Sequence, residues 1–175
     1  MSVGRWMAGA AAIVFAAGCN KAVPMNDADR AALADSVSQM TTQLVASLGT
    51  RATATADAWL SHFVKGDALV HAEYGMIYPT YDSLVKVLRA GLSGGTTAQI
   101  AMDQKRVTVL DRDVVVFTTL LNGAMKDSAG KETPFHEAWT AVWHRTADGW
   151  KIAADHESTP PPAPPAPAKP KRRTR

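Results

Sequence analysis

Phe135-His136-Glu137-Ala138-Trp139-Thr140-Ala141-Val142-Trp143 is followed by Thr146-Ala147-Asp148-Gly149 and then by Trp150-Lys151-Ile152-Ala153-Ala154-Asp155-His156. Asp-Gly between two alternating apolar runs predicts a β-hairpin, because Gly149 accepts the positive φ that such a turn needs. Trp, Phe, Val, Ile and Thr suit a pleated, half-buried surface. Trp139, Trp143 and Trp150 lie so close together that the hairpin must bury a large aromatic area.

Working backwards, residues 114–124 and 98–110 read as two further strands, joined by Asp111-Arg112-Asp113, with residues 126–131 turning into the hairpin. Upstream the period changes. Asn26 caps a helix that carries Leu33, Val37, Met40, Leu44 and Leu48 as one apolar stripe, and Asp27 and Asp29 suit its positive N-terminal end. Gly49 stops it and Thr50 caps a second helix, expected over about residues 51–64, with Ala52, Ala56, Trp59, Leu60 and Phe63 on one side. Residues 68–74 read as a strand that Gly75 interrupts and Met76-Ile77-Tyr78 continues. Thr80 then caps a third helix carrying Leu84, Val85, Val87 and Leu88, closed by Gly91 and Gly94-Gly95. Helices grouped before an antiparallel run predict an α+β fold with helices packed on one face of the sheet.

The two ends differ from this middle. Arg5 precedes an uncharged apolar run, residues 7–18, which reads as a secretory signal peptide and is too short to span a bilayer. Thr159 opens a Pro-rich stretch, Pro160-Pro161-Pro162-Ala163-Pro164-Pro165-Ala166-Pro167, expected to be extended and disordered, with a basic terminus. The expected organisation is residues 1–18 as signal, 19–26 as anchor and spacer, 27–158 as one α+β domain and 159–175 as tail. The formal charge of +3 comes from the ends. Without Arg5 and the tail's Lys169, Lys171, Arg172, Arg173 and Arg175, thirteen Lys and Arg remain against sixteen acids, a net of about −3. Such a body is not a nucleic-acid binder by charge. The basic tail suits contact with anionic lipid, cell-wall polymer or acidic protein, or serves as a solvated end.

Ala16-Ala17-Gly18-Cys19 resembles the lipobox of bacterial lipoproteins, and Cys19 is the sole cysteine, so no internal disulfide competes for it. The resemblance implies cleavage before Cys19, acylation of its thiol, and a domain held on a membrane by several acyl chains. Asn20 in place of Asp implies the outer membrane, with the domain facing the periplasm.

The residues from about 29 to 158 resemble the nuclear-transport-factor-two-like superfamily in its SnoaL-like and ketosteroid-isomerase-like branch. The features that carry this are Trp143-His144-Arg145-Thr146-Ala147-Asp148-Gly149-Trp150-Lys151-Ile152, similar to the family's penultimate hairpin, and His156-Glu157-Ser158, similar to its final strand ending. The passage from Tyr74-Gly75-Met76 to Leu88 is similar too. The resemblance implies a cone, a curved antiparallel sheet wrapped around three helices to leave a pocket. It also implies dimerisation through the outer sheet face. It does not select an activity, since the superfamily holds isomerases, cyclases, dehydratases, binding proteins and assembly domains.

Candidate site residues follow from position. His156 shares parity with Trp150, Ile152 and Ala154, which places it near the pocket mouth if that face meets the helices; a structural histidine is the plainer alternative. Phe135, Glu137, Trp139, Ala141 and Trp143 share one face of their strand, and His136, Ala138, Thr140, Val142 and His144 the other. Hairpin register alone does not decide which is inward. An inward Glu137 among aromatics would be a general base, an outward one an interface or rim residue. Tyr74, Tyr78 and Tyr81 cluster in sequence with His71, a set suited to binding a carbonyl or enolate oxygen or simply to packing. Trp59 and Trp139 complete the ligand-binding candidates, with core packing as their alternative. Catalytic candidates are Glu137, His156 and Tyr74. No metal-ligand spacing, phosphate loop or cofactor motif is present. The leading expectation is a lipid-anchored envelope domain that binds a small, partly apolar molecule or acts as an assembly unit. The alternatives are a cofactor-independent isomerase, cyclase or dehydratase, and a pure interaction module.

Overall fold

The computed structural model describes residues 24–48, 52–92 and 96–160. The expected signal peptide, Cys19, the Gly49-Thr50 junction, Gly94-Gly95 and the tail beyond 160 lie outside the described residues. The elements are α1 (Asp27–Ser47), α2 (Ala52–Leu60), a 3-10 turn (Gly66–Ala68), β1 (Val70–Glu73), β2 (Met76–Tyr78), α3 (Tyr81–Gly91), β3 (Thr97–Asp111), β4 (Val114–Lys126), β5 (Glu132–Thr146) and β6 (Gly149–Ser158). The strands form one six-stranded curved sheet in the order β2-β1-β6-β5-β4-β3. This is the α+β cone expected from the sequence. Neighbours pair antiparallel except β1 and β6, which run parallel.

The helix starts follow local chemistry. Asn26 accepts a hydrogen bond from the Asp29 amide at 2.7 Å. Thr80 and Ser83 form a reciprocal capping box at the start of α3. Two expectations need correction. The second helix ends at Leu60, not near Val64, because residues 62–64 turn extended along β6, with the Ile152 amide donating to His62 O at 2.7 Å and the Val64 amide donating to Ile152 O at 3.0 Å. Met76-Ile77-Tyr78 does not continue the first strand. Glu73 pairs with Met76, so Tyr74-Gly75 is a two-residue hairpin loop that folds β2 back on β1. Both loop residues have positive φ, +49° and +76°, as a type I′ turn requires.

The sheet bends at irregularities. β3 carries an extra residue between Asp103 and Arg106, with Gln104 at φ +52°. β6 carries one at Ala153, because Ile152 pairs with Trp143 while Ala154 pairs with Val142. Such bulges bend the strand and raise its twist. The concave face closes over α1, α2 and α3. Val37, Leu44, Trp59, Phe63, Phe117, Trp139, Trp143 and Ile152 form its core, each with at most 5% exposure. The inward set of β5 is therefore Glu137, Trp139, Ala141 and Trp143, with Phe135 partly buried at the same parity. Ala138, Thr140 and Val142 face outward beside Val116, Thr118 and Leu120 of β4.

Candidate functional site

A half-open cavity of about 470 Å³ lies between the concave sheet and the helices. Its walls are largely aliphatic: Leu84 and Leu88 from α3, Ile100 from β3, Leu121 and Met125 from β4, with Phe135 from β5. Trp59 of α2 also lines it and stacks, tilted, on Trp139 at 5.7 Å between ring centres. The cavity has one polar pole, where β1, the Tyr74-Gly75 turn, β5 and β6 converge. Glu73, His71, Tyr74, Glu137 and Glu157 face it there.

The pairing register builds that pole. His71 is the register partner of Asp155, and Glu73 of Glu157. Two-residue spacing puts both pairs on the concave side. One pair joins opposite charges and the other sets like charges side by side. His71 Nδ1 lies 2.9 Å from Asp155 Oδ1, and its Nε2 is 3.6 Å from Glu73 Oε2. Trp139 Nε1 donates to the other Asp155 oxygen at 3.2 Å. Burial pulls the His71 pKa down. The hydrogen bonds to Asp155 and Glu73 and the charges of Asp155 and Glu157 outweigh it and hold the value at about 10, so the ring is an imidazolium at neutral pH. Glu157 is pushed the other way for an acid, up to about 8, by burial first and then by the charges of Asp155, Glu137 and Glu73.

Tyr74 donates its phenol O–H to Glu137 Oε1 at 2.5 Å. Burial, that bond and the surrounding acids raise its pKa well above the ordinary phenol value, so it remains a donor. Its backbone sits at φ +49°, a conformation uncommon for a bulky residue. The turn thus places a strained tyrosine over a carboxyl that is only 5% exposed.

Of the residues singled out in the sequence, Trp59, His71, Tyr74 and Glu137 meet at this cavity. Tyr78 lies behind it, its ring 5.5 Å from that of His71. Tyr81 opens α3 and packs, partly buried, against the core. Trp139 is fully buried in the core, and it reaches the site through Asp155. His156 is exposed on the convex face, in register with Thr140 and Ala72. The expected parity with Ile152 fails because the Ala153 bulge inserts a residue between them, so Asp155 and Glu157 turn inward instead. Sequence reading missed both acids, as well as Glu73. Among the described residues, no group of three or more His, Cys, Asp or Glu is arranged to hold a metal ion.

A sequence model of the SnoaL-like domain matches residues 37–163. Among solved structures, the chain is similar to a protein described as a candidate dehydratase of the NTF2-like family from Streptomyces avermitilis, at 14% identity and TM-score 0.65, over 76% of this chain and 99% of that one. It is similar to a candidate scytalone dehydratase from Novosphingobium aromaticivorans, at 9% identity and TM-score 0.63, over 76% of this chain and 87% of that one. It is also similar to the association domain of C. elegans CaMKII, at 15% identity and TM-score 0.58, over 77% of this chain and all (100%) of that one. No curated protein matches it. At these identities the likeness to solved structures is one of fold. The family match spans most of the folded body, and the chain belongs to the SnoaL-like domain family.

Proposed function

We propose that this chain is a lipid-anchored envelope protein whose cavity binds a small, partly apolar molecule. One observation carries the binding half: a cavity of about 470 Å³ with aliphatic walls and a single polar pole. Sites for small organic ligands have this make-up, with an apolar body that supplies affinity and a few polar groups that fix orientation. The test is native mass spectrometry of the purified protein, followed by solvent extraction and identification of any co-purified molecule. A retained compound with an apolar portion supports the reading. Failure of any small organic molecule to bind, or binding that is unchanged in Leu88→Asp, overturns it.

The envelope half rests on the lipobox-like Ala16-Ala17-Gly18-Cys19 and the apolar run before it. In this reading Cys19 is acylated, the domain hangs from the outer membrane into the periplasm, and residues 20–26 serve as spacer. Radiolabelled palmitate incorporation and membrane fractionation test it. Cys19→Ser should lose the label and appear in the soluble fraction.

A second reading is favoured by the Tyr74–Glu137 contact. A phenol and a carboxyl 2.5 Å apart at the end of an apolar pocket have the make-up for cofactor-independent proton transfer, as in an isomerase, cyclase or dehydratase. Two of the similar structures are described as candidate dehydratases. Incubating the co-purified molecule with protein in D₂O separates the readings. Incorporation of deuterium at carbon, lost in Glu137→Gln, marks an enzyme; an unchanged mass marks a binder. The likeness to an association domain is compatible with a homo-oligomer, and in this reading copies meet through the convex face. Val142→Asp should then lower the mass measured by light scattering.

A further inference from the structure

We infer that the molecule taken into this cavity carries a positive charge: an organic cation of the alkylammonium class, with its apolar part against Leu88 and Ile100 and its charged end between Glu73, Glu137 and Glu157. This inference rests on the cavity being a ligand site and goes further by naming the charge of the ligand.

Three observations carry it. First, the three acidic side chains lining the cavity come from three different strands, β1, β5 and β6, and converge on one pole. Among the described residues no Lys or Arg lines it. Its one cation, His71, is engaged by Asp155 and Glu73. Second, Glu73 and Glu157 are register partners across β1 and β6, so two carboxyls stand side by side at the cavity wall, and ionising both sets like charges together. Like charges directly opposite each other destabilise a sheet, and the arrangement persists here on the face that meets the cavity. Third, Glu157 has no hydrogen-bond partner among the described residues; burial and neighbouring charge alone act on it. The residue is half-buried and lines the cavity, so its unpartnered carboxyl is open to a ligand there. Tyr74 and Asp155 do not fill this role, since Tyr74 is bonded to Glu137 and Asp155 to His71 and Trp139.

A cation placed at this pole offsets the repulsion that ionising Glu157 beside Glu73 brings, and gives Glu157 its missing partner. It also favours the ionised form of Glu157, so binding releases a proton wherever free Glu157 is protonated. An anionic ligand meets three carboxyls and no free cation. A neutral ligand gains the apolar contacts alone.

The test is isothermal titration calorimetry on the purified full chain at low salt with hexyltrimethylammonium, 1-hexanol and hexanoate. These share one apolar body, and the first is a cation at every pH. The expected order is hexyltrimethylammonium tighter than hexanol by about tenfold, with hexanoate weakest. Affinity for the cation should rise between about pH 6.5 and 9 with proton release. Glu157→Gln should abolish that rise, and Glu137→Gln should weaken the cation by a larger factor than it weakens hexanol. Hexanol or hexanoate binding as tightly as the cation overturns the charge assignment and leaves the cavity reading standing. Binding of none of the three overturns both.

Discussion

His71 and Asp155 meet side by side across the parallel pairing of β1 with β6, with His71 Nδ1 2.9 Å from Asp155 Oδ1 and both residues at most 5% exposed. The pair fixes where the last strand lies against the first. Trp139 Nε1–H takes the second Asp155 oxygen, so one buried carboxylate ties β1, β5 and β6 together. Removing one member of a buried pair leaves the other uncompensated, at a cost of about 3–5 kcal/mol. His71→Gln and Asp155→Asn should each lower stability on that scale in urea unfolding. The double variant His71→Phe/Asp155→Leu should be less unstable than the sum of its single changes, because no unpaired charge remains.

Stability should fall as pH rises. The folded pKa of His71, about 10, lies above the ordinary value of 6.5. Its contribution is complete below about pH 6.5 and is lost progressively as pH climbs through 10. Glu157 adds a window of the same sign at lower pH. Its folded value of about 8 exceeds the ordinary value of 4.5, so the folded state binds more protons between those limits, and stability declines across them. Urea midpoints should drop from pH 5 to pH 8 and again from pH 8 to pH 10. Glu157→Gln should flatten the drop between pH 5 and 6.5, where Glu157 acts alone, and leave the part that His71 contributes from there to pH 10. A midpoint that rises with pH across this range in the wild-type chain contradicts both assignments.

The Tyr74–Glu137 bond and the Tyr74 backbone oppose each other in stability. Tyr74→Phe keeps φ near +49° and loses the hydrogen bond, so it should cost about 1 kcal/mol. Tyr74→Gly loses the same bond but removes a left-handed conformation that costs an L-residue about 1–2 kcal/mol. Glycine should therefore be the more stable of the two variants, although it deletes the larger side chain. Both should weaken ligand binding. Thermal unfolding of the pair, measured side by side, checks the order.

Local chemistry made much of this fold readable. The Asp148-Gly149 turn, the Thr80 cap and the alternation along β5 each depend on residues near in sequence, and Gly149 does take φ +93°. The polar pole was hidden for three physical reasons. The bulge at Ala153 carries no glycine or proline to announce it, yet it reverses parity for everything after it. His156 then looked inward while Asp155 and Glu157 looked outward. The parallel pairing of β1 and β6 is non-local, so no period along the chain shows that Glu73 and Glu157 are neighbours. A tyrosine at positive φ runs against backbone preference, and only the following Gly75 hinted at a reversal there. Glu137 was readable as a choice between two faces. The burial of Trp139 and Trp143 decided it, because a core of that size leaves the indoles nowhere else to go.

Gly123 supplies the last test, at the far end of the cavity wall. It pairs with Ile100 on one side and Phe135 on the other, near the C-terminal end of β4 where it is flanked by β3 and β5. A methyl group built on it would lie 2.0 Å from the Gln99 carbonyl oxygen and 2.9 Å from Phe135 Cζ. The phenyl ring can rotate away, but the carbonyl belongs to the backbone of the neighbouring strand. β3 must therefore shift to admit even alanine, and overpacking of this kind costs about 1–3 kcal/mol. β3 also carries Ile100, which lines the cavity, so the strain should reach the site. Gly123→Ala should lower the melting temperature by several degrees and weaken binding of an apolar probe, whereas Gly91→Ala, whose added carbon meets nothing from another element within 4 Å, should not lower the melting temperature. Equal melting temperatures for the two variants would show that β3 is free to move there, and that the cavity wall is softer than its packing implies.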